Sequence, residues 1–145
     1  MAVFVDSSEV FAMAAKMAAN AKVIDDVTEQ AIKTVGYRGL GLVKKNASGR
    51  PGPRVRTGDY RRSLNVRFGA DKFSDARGIT HSATIGTNAP QAQRLEEGFI
   101  GADSLSRVYN QPAFPHFRPM AEQIQAEWAT VMAAVVKEAE IRSGL

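Results

Sequence analysis

The sequence contains no cysteine and has only two histidines, His81 and His116. Without cysteine the chain can form neither a disulfide nor a thiolate zinc site. Neither histidine has a second metal-ligating residue at the spacing of a known motif. We therefore expect no metal and no cofactor. Each histidine is interpreted as hydrogen-bonded within the fold or exposed on its surface.

Long apolar runs are missing as well. No stretch approaches the roughly 20 apolar residues that a membrane-spanning helix needs. The N-terminus, MAVFVDSSEVF, lacks the basic and long apolar regions of a signal peptide. From the sequence we expect a soluble protein that folds in the cytoplasm and makes no contact with a membrane.

Motifs of the common enzyme classes are also absent. There is no G-x-S-x-G nucleophile elbow. The glycine-rich GLGLVKK at residues 39–45 lacks the G-K-[ST] ending of a phosphate-binding loop, and it follows a predicted helix rather than a strand. The carboxylate pairs Asp25–Asp26 and Glu96–Glu97 are neighbours in sequence and would point apart on a helix. We predict that the protein is not an enzyme.

What the sequence does contain is two long amphipathic patterns. The first predicts a helix that is capped by Asp6 and stopped by Gly36. Its apolar face consists of residues at spacings of three, four or seven. These residues are Val10, Met13, Met17, Ala21, Ile24, Ala31 and Val35.

The second pattern predicts a C-terminal helix that begins near Pro119, with that proline in the first helical position, and ends just before Gly144. Both helices carry further apolar residues outside the main stripe. These could pack on the sheet and loops or on a partner subunit. They are Phe11, Val23 and Ile32 on the first helix, and Ala133, Val136 and Ile141 on the last.

The region between the helices alternates between strand and turn patterns. A helical turn from Thr57 or Asp59 through about Ser63 precedes two runs with the two-residue period of a strand, 64–68 and 79–85. Such runs predict an antiparallel pair.

Asn88 is predicted to cap a short helix that ends near Gly98. A third or fourth strand is expected from 39–43 or from 99–111, because two strands alone are marginal. The predicted fold is a single α+β domain over residues 1–145, in which a small, mostly antiparallel sheet and a short helix lie between two long helices.

Positive charge is concentrated in one segment. Residues 44–67 contain eight Lys and Arg against Asp59 alone, a balance of +7, whereas the whole chain carries +4. We interpret 44–56 as a long basic loop. It could be a solvated loop, a surface for nucleic acid, or an arm that docks on an acidic protein. The candidate contact residues are Lys44, Lys45, Arg50, Arg54, Arg56, Arg61 and Arg62.

Three separated motifs resemble one known family. RTGDYRRSL (56–64) carries a T-G-x-[aromatic/aliphatic]-x-x-S-[aliphatic] pattern, ATIGTNAPQAQRLEEGF (83–99) combines Gly-Thr with a later Glu-Gly, and PAFPHFRPM (112–120) precedes the last helix. In this order and spacing the motifs resemble the tail-completion, or head–tail joining, family of long-tailed bacteriophages, of the minor tail protein Z type. The motif residues are Thr57, Gly58, Ser63, Gly86, Thr87, Glu97, Gly98, Pro115, Phe117, Arg118 and Pro119.

The resemblance implies a structural virion protein of the phage neck or tail end, assembled in the host cytoplasm. Copies would associate head-to-tail into a ring, matching the hexameric symmetry of the tail tube. Its neighbours would be a head-side connector or stopper protein and the tail terminator or tail tube protein, with genomic DNA passing close by. A tail terminator that caps the tube is an alternative role, and a basic nucleic-acid-binding module is an alternative of another class.

The proline-rich motif is expected to act as a stiff strut, because prolines fix the backbone without hydrogen bonds. Phe114 and Phe117 would fill the gap between the sheet and the helices. Arg118 would point toward Glu97 or toward the next subunit.

Overall fold

The computed structural model describes residues 8–72 and 79–144. Along the chain, two long helices flank two β-ribbons and two short helices, which confirms the predicted α+β class. The elements are α1 (Ser8–Asn46), α2 (Asp59–Ser63), β1 (Asn65–Lys72), β2 (Ile79–Gly86), α3 (Ala92–Glu97), β3 (Phe99–Ala102), β4 (Val108–Gln111) and α4 (Phe117–Ser143). Among these helices, none has the length and apolarity to cross a membrane. The predicted cap Asp6 lies outside the described residues.

Helix α1 continues ten residues beyond Gly36, so the predicted stop there was wrong, as was the strand expected at 39–43. Gly36 and Gly39 are buried instead. A Cβ at Gly36 would lie 2.6 Å from a ring carbon of Phe68, and one at Gly39 would lie 2.5 Å from Cδ1 of Ile85. The glycines therefore let the β1–β2 ribbon approach the helix backbone, and this packing overrides their low helix propensity.

The first ribbon confirms the predicted antiparallel pair. Asn65 is opposite Gly86 at one end and Lys72 is opposite Ile79 at the other. Along β2 the more buried positions alternate with exposed ones, and this ribbon packs mainly on α1. The two-residue period was therefore a sufficient signal for both strands.

The second ribbon, β3–β4, pairs Phe99 with Gln111 and Ala102 with Val108. It confirms the strands expected from 99–111. In the described residues it forms a sheet of its own rather than extending the first ribbon. We refer to residues 99–111 as the hairpin.

Helix α4 runs antiparallel to α1, as two contacts show. The Asn46 side chain donates to the carbonyl of His116, and Arg38 pairs with Glu127 at 2.6 Å. The largest buried cluster lies where α1 ends against α2 and the start of α4. It contains Val43, Ala47 and Leu64, against which Leu40, Tyr60, Ile85, Phe117 and Met120 pack.

The start of α4 differs from the prediction, but its end does not. The helix begins at Phe117, so Pro119 occupies the third helical position rather than the first. Gly144 takes the left-handed conformation, with φ 69°, and its amide donates to the carbonyl of Glu140. Glycine adopts this conformation without the cost that a Cβ imposes, so the predicted C-terminal stop is confirmed.

Candidate functional site

The first motif forms the entrance to α2. Gly58 has φ 81°, a left-handed conformation that suits glycine. The Thr57 hydroxyl donates to the Asp59 carboxylate at 2.6 Å, and Arg62 pairs with the same carboxylate. The hydrogen bond from Thr57, followed by the contacts with Arg62, lowers the pKa of Asp59 below its usual value. The motif thus fixes a tight turn whose one acidic group is already engaged.

The first and second motifs meet through two hydroxyls. Ser63 Oγ lies 2.6 Å from Thr87 Oγ1 and 2.6 Å from the carbonyl of Tyr60, and Thr87 Oγ1 accepts from the amide of Ala89 at 3.1 Å. These contacts give a directional chain in which Thr87 donates to Ser63 and Ser63 donates to the carbonyl. Every hydroxyl then donates once and accepts once, which explains why Ser and Thr suit these positions.

The second and third motifs meet at Glu96. Its carboxylate, carried on α3, accepts the amides of His116, Phe117 and Arg118 at 2.9, 3.1 and 2.9 Å. The first four amides of a helix, counted from the residue that precedes it, have no partner within the helix, and counted from His116 the fourth of these positions is Pro119, which has no amide. Glu96 therefore satisfies every amide that the start of α4 presents.

The position of Glu96 sets its acidity. Burial by itself would raise the pKa of this carboxyl. The three amide hydrogen bonds, together with the neighbouring His116, outweigh burial and leave the pKa below its usual value. Glu96 is therefore held in the charged form, which is the better acceptor and which also interacts favourably with the positive end of the α4 dipole.

His116 connects all three motifs. Its side chain is fully buried. Nε2 lies 2.5 Å from the Tyr60 hydroxyl, and Nδ1 lies 3.0 Å from the Phe114 carbonyl and 3.0 Å from the Glu96 carboxylate. Because both neighbours of Nδ1 only accept, we assign the proton to Nδ1 and infer that Tyr60 donates to Nε2. The predicted hydrogen-bonded role of His116 is confirmed.

Tyr60 is well suited to the donor role. Burial, with a smaller contribution from the negative charge of Glu96, raises the pKa of its hydroxyl to about 12. The hydroxyl therefore keeps its proton throughout the neutral range. We call Tyr60, Glu96 and His116, with the Ser63–Thr87 pair, the motif junction.

His81, the other histidine, is also hydrogen-bonded as expected. Its Nε2 lies 2.7 Å from a carboxylate oxygen of Asp25, and its side chain is nearly buried between β2 and α1. Within residues 8–72 and 79–144, no group of three or more His, Asp or Glu side chains could hold a metal ion.

The basic residues are distributed over three elements rather than one loop. Lys44 and Lys45 belong to the last turn of α1, where positive charge interacts favourably with the helix dipole, and Arg61 and Arg62 belong to α2. The irregular segment therefore begins at residue 47 rather than at residue 44. The arginines that it carries are Arg50, Arg54 and Arg56.

Arg50 differs from the other two arginines of this segment. Its guanidinium carbon lies 3.8 Å above the centre of the Phe114 ring, a cation–π contact that binds the loop to the proline-rich motif. The two phenylalanines therefore have different contacts, although both were expected to fill the gap between the sheet and the helices. Phe117 packs on the buried cluster, whereas Phe114 lies under Arg50.

An open cleft of about 840 Å³ lies between this loop, α2 and α3. Its wall combines cationic and apolar groups, and Asp59, already paired with Arg62, is the one acidic residue among the described residues that line it. The arginines are Arg50, Arg54, Arg56 and Arg61, and the apolar residues include Pro53, Val55, Leu95 and Phe114. We call this the basic cleft. Its chemistry suits an acidic chain that also presents apolar side chains, because it offers partners for both.

A known protein family matches part of this sequence. The family described as "Bacteriophage HK97-gp10, putative tail-component" matches residues 11–98. The chain belongs to this family of phage tail components. The match confirms the resemblance to phage tail proteins, and it covers the first motif and nearly all of the second. No curated protein and no solved structure matched the chain.

The third motif lies beyond the matched range, yet the fold joins it to the other two through the motif junction. Glu97 was predicted as a motif residue, whereas Glu96 was not. Glu97 is exposed and accepts from the Gln93 side chain at 3.2 Å, whereas the amide of Arg118 donates to Glu96.

Two signals could have identified Glu96. The residue before α4 is His116, which makes no side-chain cap, and Pro119 supplies no amide. A helix that starts in this way needs an acceptor from another element. The start of the short helix α3 also differs from the prediction, because its N-cap is Gln91 rather than Asn88, although the helix does end at Gly98.

Proposed function

We propose that this phage tail component is a structural, non-enzymatic protein of the tail end, which completes the tail and joins it to the DNA-filled head as a ring of identical subunits. The observation that supports this proposal is the motif junction. The three motifs of the tail-completion resemblance are far apart in sequence and meet through the side chains of Glu96 and His116 and the Ser63–Thr87 pair.

The motif junction supports a role in assembly because it fixes the relative positions of four elements. Hydrogen bonds of 2.5–3.1 Å link α2, the end of β2, α3 and the start of α4. A joint with its polar groups satisfied in this way holds the helices at set angles. A subunit whose surfaces keep fixed relative angles can repeat around a closed ring. A hexamer would match the symmetry of the tail tube.

We further propose that the basic cleft receives an acidic segment of a neighbouring virion protein, on the head-side connector or on the tail terminator or tube. Arg54 and Arg56 are exposed, and neither is drawn into the junction. A cleft that also offers Val55 and Phe114 suits a peptide better than a sliding DNA duplex. A strongly positive wall would in addition retain DNA that has to pass through the lumen.

The function is tested with a phage strain that lacks the gene and is supplied with the protein from a plasmid. Without the protein we expect DNA-filled heads and finished tails that remain separate in electron micrographs. Joined and infectious particles would refute the proposed function. Tails of abnormal length would indicate the tail-terminator role instead.

The cleft is tested in the same strain with the double variant Arg54→Ser/Arg56→Ser. The matched control is Lys22→Ser/Lys137→Ser, which removes the same charge from α1 and α4. We expect the first variant to reduce the yield of joined particles by about 10-fold or more and the control to leave it near wild type. Normal joining with impaired DNA ejection would instead assign the arginines to the DNA path. A salt-dependent shift of random duplex DNA by the isolated protein would favour a nucleic-acid-binding module.

A further inference from the structure

The hairpin has one partly covered face and one open apolar face. On the covered face, Phe99 is half-buried beneath Arg94, whose guanidinium carbon lies 4.2 Å from the ring centre. Because side chains alternate along a strand and the register opposes Ala102 to Val108, Ile100 and Val108 share the other face. They are 80% and 81% exposed. A two-stranded ribbon with such a face is marginal unless something covers it.

The tip of the hairpin is cross-linked by hydrogen bonds, and its charges are paired with each other. The Asp103 carboxylate accepts the amides of Leu105 and Arg107, both at 2.9 Å, and the Arg107 side chain at 2.7 Å. These bonds hold the backbone of the turn that carries Leu105, whose side chain is 69% exposed. A surface that is already ordered loses little conformational entropy on binding. The tip therefore has the properties of a preformed contact.

A recessed apolar surface lies on the same chain, between α1 and α4. This groove has a volume of about 330 Å³ and is lined chiefly by Val27, Ala31, Val35, Trp128 and Val131. Trp128 is 40% exposed there. Partly exposed tryptophans in apolar recesses are typical centres of protein interfaces.

The charges beside the groove are also paired within the chain. Arg38 binds Glu127 at 2.6 Å, and Glu138 binds Arg142 at 2.7 Å. The groove and the hairpin are therefore both apolar and locally neutral, unlike the basic cleft. This electrostatic match favours the hairpin over a strongly charged partner as the occupant of the groove.

The exposed area allows for such a contact. The chain exposes 10,782 Å², whereas a folded monomer of 15.7 kDa is expected to expose about 7,300 Å². Even if they were wholly exposed, the residues outside the described ranges could account for at most about 2,200 Å² of the difference. Roughly 1,300 Å² remains, which exceeds the ~800 Å² that one partner buries in a standard interface.

We propose that the hairpin of one copy occupies the α1–α4 groove of the next copy. Among the described elements, β3 and β4 make extensive contact only with each other, so the hairpin does not already cover its own groove. Two different patches meeting in this way form a head-to-tail contact, which closes into a ring when the rotation allows it. This inference rests on the proposed ring and assigns the surfaces that would build it.

The absence of cysteine allows a direct test. Leu105→Cys at the tip and Thr34→Cys beside the groove are prepared separately, mixed and oxidised. We expect a disulfide-linked heterodimer. The control mixture pairs Leu105→Cys with Thr84→Cys, an exposed position on β2 outside the groove, and should give only background. Equal cross-linking in both mixtures, or none in either, would overturn the assignment.

A second measurement uses Ile100→Thr/Val108→Thr, which keeps the β-branched shape that suits a strand while making it polar. Sedimentation of the full chain should show self-association weakened by about 10-fold or more. The control, Arg67→Thr on the exposed side of β1, should assemble normally. A wild type that stays monomeric at hundreds of micromolar, or a hairpin variant that assembles normally, contradicts the proposal.

The outcomes also separate this inference from the proposed function. If the hairpin variant assembles normally but fails to join heads to tails, the hairpin contacts another virion protein and the inference is wrong. If the cross-link forms but phage lacking the protein still assembles, the contact stands and the proposed function is wrong.

Discussion

At the residue scale, Glu96 connects two elements of the fold, α3 and the start of α4. A helix start is usually capped by a Ser, Thr, Asp or Asn that directly precedes it. Here the acceptor comes from α3, some twenty residues earlier, and it serves three amides at once. One carboxylate therefore ties the helix angle of α4 to the position of α3, and its loss would affect more than a single hydrogen bond.

We expect Glu96→Gln to lower the free energy of unfolding by about 1–3 kcal/mol, because the neutral amide is a weaker acceptor and turns one oxygen into a donor facing backbone amides. Glu97→Gln is the matched control, since Glu97 is exposed, and should change stability by less than about 0.5 kcal/mol. Urea unfolding of both variants checks this. Equal losses would show that the capping role has been assigned to the wrong residue.

The lowered pKa of Glu96 predicts a pH dependence. The folded-state pKa lies below the ordinary value of a glutamate carboxyl, so between the two values the unfolded chain binds more protons and stability rises with pH. The contribution of Glu96 is complete above about pH 4.5 and is lost as the pH falls through the folded-state pKa.

The difference in stability between wild type and Glu96→Gln isolates this contribution from those of the other carboxyls. It should be constant from pH 5 to 7 and shrink below about pH 4.5. Urea unfolding at a series of pH values measures it. A difference that does not change below pH 4 would contradict the assignment.

At the scale of elements, α1 shows how tertiary contacts decide where a helix ends. Two of its glycines face the β1–β2 ribbon, whereas Gly41 is exposed and a Cβ there would meet no atom within 4 Å. The same residue type therefore has opposite consequences within one helix. At Gly36 the missing side chain makes room for Phe68, and at Gly41 it only lowers the helix propensity.

This contrast predicts opposite effects of the same substitution. Gly41→Ala should stabilise the chain by about 0.5–1 kcal/mol, because alanine favours the helix and reduces the freedom of the unfolded state. Gly36→Ala should destabilise it by about 1–3 kcal/mol, because the new methyl group would lie 2.6 Å from the Phe68 ring and 3.0 Å from Cβ of Ala83. Thermal unfolding of the two variants measures both changes in stability. Stabilisation by both would show that the ribbon adjusts without cost.

Local sequence patterns were sufficient to predict the helices and strands that are determined by neighbouring residues. The apolar stripes identified α1 and α4, alternation identified β1 and β2, and Gly144 marked the end of α4. The failures have non-local causes. Gly36 does not stop α1 because Phe68, which follows 32 residues later, needs the space. The start of α4 was misplaced because its cap is on another helix.

The candidate site follows the same division. The basic residues and the three motifs were visible in the sequence, because charge and short motifs are local. That the motifs meet through Tyr60, Glu96 and His116 was not visible, since it depends on how α2, α3 and α4 pack. Tyr60 occupies the aromatic or aliphatic position of the first motif, and that position alone does not predict a hydrogen bond. Tyr60 is the hydrogen-bond donor to a fully buried histidine.

At the scale of the whole molecule, the small extent of the core is the notable property. The hydrophobic side chains that are almost fully buried among the described residues are Val27, Val43, Ala47, Leu64, Val135 and Ala139. Many large apolar side chains, from Phe11 to Ile141, remain in contact with water. Such a chain gains stability from assembly, because association removes apolar surface from water in the folded state alone.

This linkage predicts that the melting temperature rises with protein concentration. A ligand present at 100 times its dissociation constant adds about 2.7 kcal/mol to stability, and a neighbouring subunit acts in the same way. The melting temperature should therefore increase over a 100-fold concentration range in scanning calorimetry. In Ile100→Thr/Val108→Thr the melting temperature should become nearly independent of concentration. At the lowest concentration the variant and the wild type should melt within a few degrees of each other, because Ile100 and Val108 contribute little to the stability of the isolated subunit. A melting temperature that does not depend on concentration in the wild type would mean that the exposed apolar surface is not covered by a second copy.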